Sequence, residues 1–430
     1  MAELPSGHVR DRAGTHRPQR QYGDAPSRTD DAPGEAPAGR RSTTRLIGVD
    51  VARGLALLMI VGSHVLLFSD DAGDPTGAYV RGSEGAALFA LLAGVGVGLA
   101  YGRRPPAGGR AWARAAAALT VRAAALVTLG LALGSVVDYH EHAIVVLMTF
   151  GLLFLFAIPL LRLGPYALAV LAVVLAVVVP VVAQLLRPVL PTPQLVNPTF
   201  GDVAAAPLAW LAQLTLTGIY PALAWAAYLC AGMALGRLDL SSVQVTARVV
   251  VGGIALAVLA SGLSWLLLDG LGGTDRLLDA EAGRYGADEV HALITWGFSP
   301  DEPRDSLWWL AIDAPHSSTP LDLLRTTGVA VAITAGCVLL SRVVGPALLR
   351  PLAAAGSLTL TLYTLHLLAL TWFPDAWGEP FTYLAHVAAM LVLAPLWLRA
   401  SRRGPVETVV RGLESAAVRT VAARSPAPAA

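Results

Sequence analysis

An aspartate, an arginine and a histidine interrupt the otherwise apolar stretch RLIGVDVARGLALLMIVGSHVLLF: Asp50, Arg53 and His64. Arg53 and His64 lie eleven steps apart in the chain. At roughly 100° per residue their side chains fall about 20° apart around a helix and share one face, about 16 Å apart along the axis. Asp50 precedes Arg53 by three residues, a spacing at which helical side chains meet, so an ion pair is expected. An ionisable group in hydrocarbon is costly and normally faces protein or a wet cavity, which makes His64 a candidate for chemistry. An imidazole titrates at about pH 6.5 and can take a proton from a hydroxyl or an amine. The structural alternatives are a neutral histidine bonded to a neighbouring helix and an Asp50–Arg53 pair that serves topology alone.

A second constellation is GSLTLTLYTLHLLAL, in which Thr359, Tyr363 and His366 stand on one helical face. Tyr363 and His366 are candidate substrate-binding residues, and a polar seam between helices is the alternative. His316 in DAPHSSTPLDLLRTTG has Asp313 and Asp322 close in sequence and is placed to touch a substrate or to be a solvated loop residue. Trp225, between Tyr220 and Tyr228, fits either a ligand pocket or an aromatic belt. Glu84 and Arg122 complete the candidates. Gly94, Gly96 and Gly98 point to close helix packing and not to a dinucleotide loop. Cys230 and Cys337 lack His or Cys at ligand spacing, and no metal site, nucleophile elbow or phosphate loop is expected.

The elements that must position these residues follow from composition. Of 430 residues 55% are apolar and only 14% charged, which excludes a water-soluble enzyme, a disordered protein and a disulfide scaffold. The expected fold is all-α, a polytopic bundle of about ten membrane spans. Their expected limits are 46–68, 84–101, 114–136, 142–161, 166–186, 219–236, 248–268, 322–342, 353–373 and 381–398, with Pro207 to Thr217 either interfacial or an extension of the sixth. Arg40, Arg41 and Arg45, then Arg103, Arg104, Arg110 and Arg114, then Arg162, Arg237, Arg342, Arg350, Arg399, Arg402 and Arg403 all fall on one side of this bundle. Asp70, Asp71, Asp74, Asp138, Glu141, Asp375 and Glu379 fall on the other. Basic residues mark the cytoplasmic face, so both termini are expected there. Residues 1–44 read as a disordered tail, 45–400 as the membrane domain, and 401–430 as a second tail with an amphipathic helix. The external loop at 269–320 is long and acidic, either partly ordered and functional or a solvated face. The net charge of +1 gives no sign of nucleic-acid binding, and oligomeric state carries no signal in the sequence.

VDVARGLALLMIVGSH resembles the first-helix signature of transmembrane acyltransferases, with an Arg-to-His spacing like that of the acyltransferase-three family. RLIGVDVARGLALLMIVGSH, YPALAWAAYLCAGMALGR, APHSSTPLDLLRTTG and GSLTLTLYTLH together are similar to the heparan-alpha-glucosaminide N-acetyltransferase family and its bacterial relatives. The resemblance implies transfer of an acyl group, usually acetyl, from cytoplasmic acyl-CoA to an extracytoplasmic hydroxyl or amine of a glycan, lipid or small molecule. It implies an enzyme of a bacterial plasma membrane, in contact with lipid and needing no metal. His64 then matches the catalytic histidine and Arg53 its partner, with Asp50 holding the guanidinium. The animal enzymes usually carry Asn at the position of His64 and their active histidine in the next loop, whereas Phe68 to Glu84 holds none here. A solute transporter and a non-catalytic scaffold are the rival classes.

Overall fold

Leu, Ala and Val dominate the long uncharged runs, and in hydrocarbon such runs must bond their own backbone, so helices are the structure available to them. A computed structural model describes residues 46–66, 76–102, 109–137, 143–297, 306–373 and 378–423, which contain sixteen α-helices. In order these are α1 (Ile47–Val65), α2 (Gly77–Tyr101), α3 (Gly109–Gly134), α4 (Leu147–Leu160), α5 (Pro165–Leu186), α6 (Phe200–Ala205), α7 (Pro207–Ala212) and α8 (Ala222–Gly236). The second half holds α9 (Val243–Trp265), α10 (Gly273–Glu281), α11 (Ala287–Trp296), α12 (Pro320–Val343), α13 (Pro346–Ser357), α14 (Thr359–Trp372), α15 (Glu379–Ala400) and α16 (Pro405–Ala423). Residues 1–44, residues 424–430 and the loop acids Asp70, Asp71, Asp74, Asp138, Glu141 and Asp375 lie outside the described residues.

Each of the ten expected spans coincides with helix. Seven are long, apolar and unbroken. Two more are bent pairs, Pro207–Thr217 with Ala222–Gly236 at 48° and Pro346–Ser357 with Thr359–Trp372 at 73°. The tenth, α4, has only 14 residues, about 21 Å of rise against a hydrocarbon core of about 30 Å. The straight ninth span expected from hydropathy is therefore two helices. The chain turns at Leu358, where φ is −116° and ψ is 25°. The sixth is lengthened by α7 and a π-turn that ends before Gly218 and Pro221, residues that cannot continue the helix without cost.

The bundle packs α1 against α2, α12 and α13, α2 against α8, α9 against α12, α5 against α8, and α3 against α4 and α16. Small residues set the closest approaches. Gly356 of α13 rests on the Asp50 carbonyl of α1, and Gly232 of α8 on the Leu91 carbonyl of α2. A methyl group at Gly356 has no flexible side chain to displace, only backbone. Gly356→Ala is therefore expected to cut the yield of folded protein in detergent, measured by monodisperse recovery on size exclusion. Alanine at Gly336, which has open space around it, is the neutral control.

The contacts define two ends of the bundle. Gly98 meets Gly236, Gly48 meets Val338, Arg237 donates to Leu161 O and Arg342 to Leu240 O, all at the end where α1 begins. At the other end Gly82 meets Ser63, and the described parts of the connection after α9, 269–297 and 306–319, meet the bundle there, with Ser264 Oγ donating to Ala311 O. That connection contains α10 and α11 and has its own core of Leu277, Val290, Trp309 and Ile312. Trp309 Nε1 donates to the buried Glu281 at 2.9 Å. The described residues of this connection thus form a small packed cluster.

Candidate active site

Helix α1 carries polar residues to both ends. Near its start Arg53 Nη1 lies 3.2 Å from Asp50 Oδ1, the pair expected from the three-residue spacing. Asp50 is buried and Arg53 partly exposed. Gly94 and Gly98 of α2 pack on α8, but Gly96 does something else. A Cβ there would stand 3.1 Å from Arg53 Nη2, so the glycine leaves room for the guanidinium.

Near the end of α1, His64 Nδ1 stands 3.1 Å from His366 Nε2 of α14. The two rings are nearly parallel, at 4° and 5.3 Å between centroids. His366 is 2% exposed, while His64 is only partly buried. A third histidine, His386 of α15, meets the His366 ring edge-on at 4.8 Å. His386 Nδ1 donates to Thr382 O at 2.8 Å, which fixes its tautomer. Tyr363, three residues before His366 on α14, is also buried. Two imidazoles in such contact need one proton between them, so Nδ1 of His64 is committed to His366. Among the described residues no group of three His, Cys, Asp or Glu side chains is arranged to hold a metal ion.

The remaining candidates assemble elsewhere. Arg325 of α12 lies 3.2 Å from Glu84 of α2, 3.2 Å from Asp322 and 3.7 Å from Asp313. Ser261 donates to Asp313 at 2.8 Å, and the His316 backbone N–H to Ser83 at 3.2 Å. Tyr220 touches both His316 and Trp225 edge-on, at 5.9 Å and 5.0 Å. Glu84, His316 and Trp225 therefore belong to one network around Arg325. His316 and Ser318 hold φ of 58° and 51°, left-handed values that non-glycine residues adopt at a cost and that concentrate at functional sites. Their loop walls a small cleft together with Gln184, Arg187 and Ile219. Arg122 joins neither group: on α3 it pairs with Glu414 of α16 at 2.6 Å and stacks on Phe154.

Burial, and next the Arg325 charge, push the His316 imidazole down to about 4. A folded value below the ordinary one, about 6.5, means that the unfolded chain binds the proton more readily. Stability from this residue is complete above pH 6.5 and is lost as pH falls through the folded value. The melting temperature of the wild type should thus fall as pH is lowered from about 6.5 to 4. The diagnostic is the difference from His316→Gln, which should show a shallower decline.

Arg325, His386 and Glu407, described below, are the site residues that the sequence reading passes over. Arg325 and His386 obey the rule that singles out His64, an ionisable group inside an apolar span.

Comparison with known families fits this geometry. A family profile described as heparan-alpha-glucosaminide N-acetyltransferase, catalytic, matches residues 45–265. A profile described as a protein of unknown function, DUF418, matches residues 303–416. No curated protein matches the chain. The first match spans α1 to α9 and contains Asp50, Arg53, His64, Glu84 and Trp225, while the second contains Arg325, His366, His386 and Glu407. With more than half of its length matched by the first profile, and with a helical bundle of seven to nine candidate spans around it, this integral membrane protein belongs to the heparan-alpha-glucosaminide N-acetyltransferase catalytic-domain family.

Proposed function

We propose that the protein moves an acyl group, acetyl by family, from acyl-CoA arriving at the Arg53 end to a hydroxyl or amine presented at the His64 end. The observation that carries this reading is the His64–His366 pair at 3.1 Å, on the helix that also bears Asp50 and Arg53. A base whose second nitrogen is held by a third group is the recurring arrangement for activating a nucleophile.

In this mechanism His64 uses Nε2. It takes the proton of the acceptor O–H or N–H as that oxygen or nitrogen attacks the thioester carbonyl. The new C–O or C–N bond forms, the C–S bond breaks, and the imidazolium returns its proton to the CoA thiolate. During the step His64 Nδ1–H donates to His366 Nε2, which keeps the ring oriented and stabilises its charge. Arg53, held by Asp50, offers a fixed cation to the anionic CoA moiety. The approximately 16 Å rise between Arg53 and His64 suits an extended carrier arm reaching along one helix face.

Basic residues support a cytoplasmic Arg53 end, since Arg237 and Arg342 gather there. The Arg325 network and the cleft beside His316 then lie on the acceptor side of a bacterial plasma membrane. Mass spectrometry of envelope lipids and glycans from cells with and without the protein tests the reading. A species heavier by one acyl group, present only with the protein, is expected; solute movement with no acyl product would overturn it.

A further inference from the structure

The bend at Leu358 gives α14 a beginning of its own, and a new helix start leaves N–H groups without helical acceptors. Leu360 and Thr361 are two such donors, and both give their N–H to Glu407 Oε1, at 2.9 Å and 3.0 Å. The Thr361 hydroxyl donates to the other oxygen of the same carboxylate. It accepts in return from the Val406 backbone N–H at 3.2 Å. Glu407 is not on α14 or next to it in sequence. It sits in the first turn of α16, beyond the last span. The turn that brings it back is fixed by Trp397 Nε1 and Ser401 Oγ, which both donate to Arg403 O. Farther along α16, the buried Glu414 takes the Arg122 ion pair and anchors the helix to α3. The helix expected to be amphipathic is thus tied to α14 and α3, and the second family match runs through residue 416, into this helix.

Resting on the acyl-transfer reading, we propose that Glu407 is a positioning residue. By closing the first turn of α14 from outside, it holds that half-helix against α1 and so holds His366 on His64. From Thr361 to His366 is five residues, about 7.5 Å of helix, so a frayed first turn reaches the histidine within little more than one turn. This assigns Arg122 a part as well: its ion pair fixes the helix from which Glu407 acts.

The test uses the full chain in nanodiscs, with acetyl-CoA and an envelope extract as acceptor source. Hydrogen exchange of the peptide 358–366 is read alongside CoA release. Glu407→Ala should raise exchange of that peptide and lower kcat by about five- to tenfold, the scale of a lost helix cap, with KM for acetyl-CoA unchanged. Glu407→Gln keeps an oxygen acceptor for the two N–H groups and should restore most of both. Should the alanine variant not fold, Glu407→Asp, one methylene short, supplies the same comparison in milder form. Unchanged exchange in the alanine or aspartate variant would overturn the proposal, as would raised exchange with wild-type kcat. If the wild-type chain shows no transfer, the functional reading fails, and the exchange data still decide whether Glu407 holds α14.

Discussion

His64→Ala is expected to abolish the proposed acyl transfer, with a loss of at least about 10²- to 10⁴-fold, the usual worth of a positioned general base. Alanine also leaves the buried His366 without its partner, at a cost of about 1–3 kcal/mol in stability. His64→Gln is therefore the companion variant, since its amide can still engage His366 Nε2 but cannot act as a base. Both should lose transfer, measured as label moved from acetyl-CoA to extractable product, while the glutamine variant melts close to the wild type. His366→Gln should fall between, because it keeps a polar contact to His64 Nδ1. A His64→Gln protein with near-native transfer would remove this imidazole from the chemistry.

Arg325→Met is expected to have the largest effect on stability. The guanidinium is the cation shared by Glu84, Asp322 and Asp313, with a side chain only 12% exposed. Removing one partner of a buried ion pair costs about 3–5 kcal/mol, because the carboxylates remain without compensation. For a chain of this size that corresponds to roughly 3–6 °C in melting temperature. Arg325→Lys keeps the charge but loses the fork that serves several carboxylates, so it should lie between the two. Differential scanning in one detergent at one pH reads the series, and an unshifted methionine variant would show that the network does not hold the α2–α12 junction.

The order of the spans was legible because hydropathy and Arg placement are local signals. So was the Asp50–Arg53 pair, whose partners are three residues apart. The His64–His366 contact joins residues 302 apart, and Arg325–Glu84 residues 241 apart. Periodicity can name such residues but cannot introduce them to each other. His64 and Arg53 could be put on one face, yet their neighbours, α14 for the first and α2 for the second, come only from packing. The break at Leu358 was hidden because GSLTLTLYTLHLLAL stays apolar through it. What satisfies the backbone donors after that break is a carboxylate 46 residues beyond Thr361, a partner that no window of sequence contains. The glycine triplet shows the same division: small residues forecast close packing, and two of the three provide it, but only the fold reveals that Gly96 makes space for Arg53.

Sealed vesicles carrying the protein in a single orientation test the central claim most directly. Radiolabelled acetyl-CoA is supplied at the Arg53 face and an acceptor extract is enclosed at the other. The account predicts labelled acyl product inside and free CoA thiol outside, both absent with His64→Ala. Label appearing only on the side of the donor, or intact acetyl-CoA accumulating within, would contradict it.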